Sequence, residues 1–447
     1  MLLSTAASYV PGGALGPNGF LHNPQGYQAV RPNTPVLPFG APLATATFVD
    51  PSSLINNGMH VVIGQKSYVG PYALLDATTG FIKIGSGSAV LDNAHITSNP
   101  SKATHYPTSV FIGDQVSIGY GATVLGESII GDYGTASKPT EVDANALIDN
   151  ATIEPGAVVG PLARVGPGVS VPSGMYVLPG ANVTTNAEAS NPALGKVEKV
   201  PASVLSDLTT KLTRDSQLAA GYTNLYQGNS ATGANPGVPS TVTGVNNGNL
   251  AAVLGTSQEP GPSTTSATTG ITFEPSSTGP KFTGPYSPQV VSLLSNFPAR
   301  ITGDARFTAR ANTVASHLGP RAAIRADQGQ PISFASAPTL GRDVTINSPL
   351  GGSVTTGGVT KVTGAVKIGQ NFVAQNDVVI LGGPAASYTI GDNVTVGSGA
   401  VVDRSNIGTG ATIGARALVL NSTVAAGQTI PPGTLLIDNK VVGQIQW

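Results

Sequence analysis

Metal and acid–base chemistry rest on a short list of side chains, and this 447-residue chain holds few of the strongest ones. It has no cysteine, which removes thiolate zinc sites, cysteine nucleophiles and disulfides together. Its histidines are His22, His60, His95, His105 and His317. They are scattered, although His95 and His105 share one region and could meet across a subunit boundary. Catalytic zinc needs three protein ligands and an open position for water, and no pair of these histidines stands at a metal-motif spacing. An acyltransferase would need a general-base histidine facing a cleft. His317 comes nearest to that role, without a motif around it. No Ser-His-Asp spacing or phosphate-binding loop stands out, and Gly351-Gly352 and Gly357-Gly358 read as turns.

The elements that must position any site are signalled by composition. Charged residues make up 10% of the chain, well under the roughly 25% of an average soluble protein. Glycine and proline are abundant and aromatics are few, which disfavours a mainly helical protein and suits turn-dense β structure. The formal net charge of −1 gives no electrostatic footprint for nucleic acid. Apolar runs are short and broken by Gly and Pro, so no membrane span is expected. Met1-Leu2-Leu3-Ser4 lacks a basic start and a continuous apolar core, so it does not read as a secretory signal. Low charge, no cysteine and abundant Ser, Thr and Asn lean toward an extracellular or cell-surface protein, with the cytoplasm as the alternative.

A six-residue period organises most of the chain. Ile63-Gly64, Val69-Gly70, Ile84-Gly85, Ile112-Gly113, Ile118-Gly119, Ile130-Gly131, Val159-Gly160 and Val165-Gly166 carry it in the first half. It resumes at Ile301 and is clear at Ile368-Gly369, Ile390-Gly391, Val396-Gly397, Ile407-Gly408 and Ile413-Gly414. Six residues make one short strand and one turn, and three such sides make a triangular coil whose aliphatic residues point inward. Neither a heptad nor an amphipathic helix gives that period. The expected fold is mainly β, with two left-handed parallel β-helix prisms. Leu205, Leu208, Leu212 and Ala219 predict one amphipathic helix over about 201–226. The expected divisions are an extended arm over 1–45, a prism with its packing helix over 46–226, a linker or strap over 227–298, and a second prism over 299–447.

Three stretches of the first prism resemble γ-class carbonic anhydrases. They are Val110-Phe111-Ile112-Gly113-Asp114-Gln115-Val116-Ser117-Ile118, the closing turn around Val171-Pro172 and Leu178-Pro179-Gly180, and the helix ending Leu218-Ala219-Ala220-Gly221-Tyr222. The second prism resembles the same family at Ile324-Arg325-Ala326-Asp327-Gln328-Gly329. The resemblance implies a trimer, with three histidines binding zinc between neighbouring subunits. Those ligand positions fall on Thr97, Tyr120 and Leu125 in the first prism, and on Ser353, Asn376 and Leu381 in the second. None is a histidine, and leucine offers no ligand atom. The resemblance also marks Arg325 and Asp327 as an interface ion pair. The matching segment of the first prism is Leu75-Asp76-Ala77, while Asp92 stands at an interface position.

The expectation is therefore a protein that is not an enzyme and holds no cofactor. Its fold would be kept for shape, in a trimer-based homo-oligomer that could extend to a filament, a surface layer or another polymer. Triangular prisms present flat faces suited to side-by-side packing, and low charge suits surfaces consumed in contacts. Two other readings stay open. One is a carbonic anhydrase or other metalloenzyme with a relocated metal site. The other is a binding module or scaffold for a partner enzyme.

Overall fold

The computed structural model describes residues 47–50, 52–98, 108–132, 134, 137–227, 299–303, 305–326, 331–348, 352–356, 359–363, 365–383 and 387–447. The expected arm and, beyond Gln227, the expected linker lie outside the described residues, as do His22, His105 and Asp327.

Each prism is a three-faced parallel β-helix, and each face is one ladder of short strands. In prism 1, face 1a runs from Phe48–Val49 to Met175–Val177 and ends in the antiparallel strand Val197–Lys199. Face 1b runs from Leu54–Asn56 to Asn182–Val183, and face 1c from Val61–Ile63 to Ser170–Val171. In prism 2, face 2a runs from Thr339–Leu340 to Thr429–Ile430. Face 2b runs from Arg300–Gly303 to Thr434–Ile437 and closes with the antiparallel Lys440–Gln444, while face 2c runs from Ala305–Phe307 to Thr423–Val424. The chain visits the faces in the cyclic order a, b, c in both prisms and enters prism 2 on face 2b.

The six-residue period sets the interior. Val69, Ile84, Val90, Ile96, Ile112, Ile118, Val124, Ile130 and Ile148 are buried in one core, and Ile324, Ile346, Ile368, Ile380, Ile390, Val402 and Ile413 in another. Neither core borrows a residue from the other prism. Each buried aliphatic side chain contributes about 1.5–3 kcal/mol against an exposed one.

The corner between faces a and b needs a left-handed residue at every coil. In prism 1 these are Tyr72, Asn93, Gly121, Asn145, Leu162 and Gly180, with φ from 53° to 70°. In prism 2 they are Arg321, Asp343, Asp377, Gly399, Arg416 and Gly433, with φ from 55° to 70°. Gly, Asn and Asp recur there because they tolerate positive φ best. The two series run one to one along the two prisms, and the corners they mark are the ones that meet in the contact between the prisms.

One long helix, Ala202–Gln227, follows prism 1. Its Leu208, Leu212, Leu218 and Ala219 lie at helical spacing and are buried against face 1a: Leu208 and Leu212 meet Val158, and Leu218 and Ala219 meet Phe48 and Tyr68. Prism 2 packs beside this assembly through face 2b. Val379, Leu381, Val401, Leu418 and Leu435 share an apolar cluster with Leu91, Tyr120, Ala144 and Leu162 of the prism 1 corner. The C-terminus completes the contact: Gln446 N donates to Gly180 O at 3.0 Å, and Trp447 Nε1 to Leu162 O at 2.7 Å.

Candidate functional site

A group of charged side chains gathers where the long helix, face 1a and face 2b meet. Positions 208, 211, 212, 215, 218 and 219 lie on one side of the helix, so Lys211 and Asp215 are carried inward with the leucines. Face 1a brings Glu141, the prism 1 corner brings Tyr120, and face 2b brings Leu381, Asp403 and Arg404. These residues line a cleft of 60 Å³, room for a few waters rather than a metabolite. Lys211 Nζ stands 2.9 Å from Glu141 Oε1. Arg404 bridges prism 2 and the helix, with Nε 3.2 Å from Asp403 Oδ2 and Nη1 3.2 Å from Asp207 Oδ2.

Burial dominates the electrostatics of this cleft. It pushes Glu141 up to about 6 against the pull of the Lys211 ammonium. It pushes Asp215 up to about 7, again against Lys211, with the Asp92 carboxylate adding to the rise. Asp215 is 7% exposed and its Oδ2 has no hydrogen-bond partner among the described residues. Asp403 is raised by burial too, with Arg404 opposing. Burial alone would lower Lys211, but the carboxylates of Glu141, Asp143 and Asp403 hold it above its ordinary value. Among the described residues no group of three or more His, Asp or Glu side chains is placed to hold a metal ion.

Deeper in the contact lie two ion pairs between the prisms. Arg325 Nη1 is 3.1 Å from Asp92 Oδ1, both side chains 1% exposed, and Arg325 Nη2 donates to the Tyr68 hydroxyl at 2.7 Å. Arg300 Nη2 is 3.1 Å from Asp50 Oδ2, with equally little exposure. Pairs this dry are tolerated only with close geometry. Asn93 Nδ2 donates to Thr345 Oγ1 at 3.0 Å, and Asn145 Nδ2 to Asp377 O at 3.0 Å.

The six zinc-ligand positions expected from the resemblance separate into distinct places. Tyr120 of prism 1 and Leu381 of prism 2 meet in one apolar cluster. The Tyr120 hydroxyl accepts a hydrogen bond from Asn347 Nδ2 at 2.8 Å. Thr97 and Leu125 are register partners on face 1b, half-buried and turned from this contact. Asn376 is at the prism 2 corner, where its Oδ1 accepts from Arg342 N at 3.0 Å. Ser353 needs correction. It belongs to an antiparallel hairpin, Gly352–Thr356 with Val359–Thr363, that leaves the coil. The ladder residue beside Leu381 is Asn347. The inserted hairpin interrupts the six-residue count, which is why spacing misplaced the position.

A second correction concerns Leu75-Asp76-Ala77. Leu75 and Ile324 are the inward residues of equivalent strands, so the residue equivalent to Arg325 is Asp76, one place later than the segment match put it. Of the described histidines, His60 bonds Asn57 and His317 bonds the backbone of Thr313. His95 is half-buried on face 1b; burial lowers its pKa while Asp343 raises it. The sequence reading missed Arg300, Asp50, Lys211 and Asp215. Only Lys211 and Asp215 carried a readable signal, as charged residues on the apolar side of the predicted helix.

Comparison with known proteins adds little. No protein-family model matches the chain. No curated protein matches it either. Among solved structures, a Bacillus cereus protein provisionally assigned as an acetyltransferase is similar over 40% of this chain and 92% of its own, at 17% identity and a TM-score of 0.21. At that overlap the similarity speaks to neither activity nor ligand.

Proposed function

We propose that this chain is a non-catalytic structural protein that assembles through its prism faces, on a γ-carbonic-anhydrase-like frame whose inter-prism metal position has become a packing contact. The observation that carries the reading is the Tyr120–Asn347 hydrogen bond beside Leu381. Residues from two prisms converge there, as metal ligands would, and what converges is a phenol, an amide and an aliphatic chain. A phenol–amide bond in an apolar surround fixes geometry and offers zinc no ligand of the preferred types. The buried pairs Asp92–Arg325 and Asp50–Arg300 support the same reading, since they set the register of one prism against the other.

The test joins metal analysis of the purified chain with a CO₂ hydration assay and with sedimentation. The expected result is zinc well below one per chain, hydration at the buffer rate, and self-association of the chain into particles larger than a monomer. Stoichiometric zinc accompanied by hydration activity would replace this reading with a metalloenzyme.

A further inference from the structure

The two prisms part where their contact runs out. Beside the last coil of each lies a cavity of 430 Å³, the size of a small-molecule site and far larger than the cleft under the helix. Its walls follow from the register of face 2b. The outward ladder that packs on prism 1 at Leu381 continues through Asp403 to Leu420 and Ile437. These last two line the cavity, opposite Leu178 and Pro179 of the turn that ends face 1a.

The mouth is built by the closing hairpin of prism 2. Asp438 and Asn439, both at positive φ, turn Lys440–Gln444 back along Thr434–Ile437. The register shifts between Leu435 and Leu436, so Val442 is the extra residue of a β-bulge. A bulge re-aims side chains out of the regular alternation. Val442 lines the cavity and is 58% exposed at its edge. Apolar surface left open beside an apolar concavity is surface a ligand can cover.

The polar groups of the lining are one-sided in charge. Its ionisable residues are Glu198 and Tyr176, register partners on the closing ladder of prism 1. Burial raises the Tyr176 hydroxyl well above its ordinary value, with nearby carboxylates adding to the rise, so it stays neutral. Glu198 is exposed and acidic. Lys196 is committed to Glu188 at 2.7 Å, and Lys199 alternates to the other side of the strand from Glu198. An anion entering the cavity therefore meets a like charge, and a cation meets an opposite one.

We infer that this cavity binds a small aliphatic amine, its hydrocarbon chain among Leu178, Leu420, Ile437 and Val442 and its ammonium at the rim beside Glu198. Every wall belongs to one chain, so the inference stands apart from the assembly reading.

Calorimetric titration of the full chain with hexylammonium is the test. Saturable one-to-one binding with a Kd of about 1 mM is expected. Binding should tighten about threefold to fourfold per methylene from butylammonium to hexylammonium. Hexanoate should bind about fivefold or more weakly, because Glu198 attracts one head group and repels the other. Glu198→Lys, at an exposed position, should reverse that order without disturbing the core. Leu420→Trp fills the cavity and should abolish binding, with its melt compared to the parent's. Ile129→Ser, on the 46% exposed apolar spot of face 1c, should leave binding unchanged. No saturable binding of hexylammonium, equal binding of hexanoate, an order that Glu198→Lys leaves as it was, or loss of binding in Ile129→Ser overturns the inference. Nα-acetyl-lysine methylamide separates a free amine from a partner's lysine, since its side chain matches butylammonium in length. It should bind no tighter than butylammonium; clearly tighter binding would assign the cavity to a lysine of another protein and overturn the free amine.

Discussion

Asp215 is the side chain whose removal should strengthen the protein. It sits on the buried side of the long helix with one carboxylate oxygen unpartnered. Burial raises it from 3.8 to about 7. A folded value above the unfolded one means that the folded protein binds the proton more tightly. That contribution to stability is complete below about pH 3.8 and is lost as pH rises through about 7. At ~1.4 kcal/mol per pH unit, the interval corresponds to about 4 kcal/mol as an upper bound. Asp215→Asn keeps the shape and removes the charge. The variant should match the parent near pH 3.5 and exceed it by a few kcal/mol at pH 8, with the difference opening between about pH 4 and 7. Trp447 gives the assay: it is the only tryptophan, and it sits in the contact between the prisms with its indole on Leu162 O. Urea titrations followed by its emission, at several pH values, read the difference directly. A difference that stays constant with pH, or an Asn variant that is weaker at pH 8, would refute the claim that burial of this carboxylate costs stability.

Three further outcomes follow from the same contacts. Arg325→Met strands Asp92 in a dry interface and should cost about 3–5 kcal/mol, whereas Arg325→Met with Asp92→Leu should recover most of the loss; urea midpoints of the two variants decide it. Trp447→Ala removes a hydrogen bond and the stacking of Arg416, whose guanidinium lies 4.3 Å from the ring centroid; a loss of about 1–3 kcal/mol is expected, seen as faster amide exchange at Gly180 and Leu162. Gly113→Ala would drive a Cβ into the backbone of Asp132 in the next coil; the melting temperature should fall by the equivalent of about 1–3 kcal/mol, and a melt identical to the parent's would show that the coil spacing is softer than described.

The coil interior was the legible part of this molecule. An aliphatic residue every sixth position has one geometric solution, and residues such as Ile112, Ile130 and Ile413 stand inside the prisms as that solution requires. The long helix was legible from the spacing of Leu208 and Leu212. What could not be read was anything that depends on an inserted segment or on a partner face. The hairpin after Ser348 shifted the count and made Ser353 look like a ladder residue in place of Asn347. The match that set Leu75 beside Arg325 failed by one residue, because inward and outward positions differ by one place and only the packed core tells them apart. Asp50 and Arg300 are 250 positions apart, and no local pattern links them.

On the proposed reading, a packing contact stands where a shared metal would, and that exchange has a physical logic. A metal shared between separate subunits adds affinity to an encounter between independent molecules. In this chain the two prisms are covalently joined, so their meeting is intramolecular and needs far less contact energy. What the contact still needs is a single register. Stacked coils repeat every few ångströms, and an apolar face sliding along another by one coil would lose little. The buried pairs Asp92–Arg325 and Asp50–Arg300 remove that freedom, since a slip of one coil would strand four charges out of water at once. The Tyr120–Asn347 bond adds a neutral constraint one coil beyond the Asp92–Arg325 pair. Tethering therefore supplies much of the affinity, and the polar groups in the contact act on alignment.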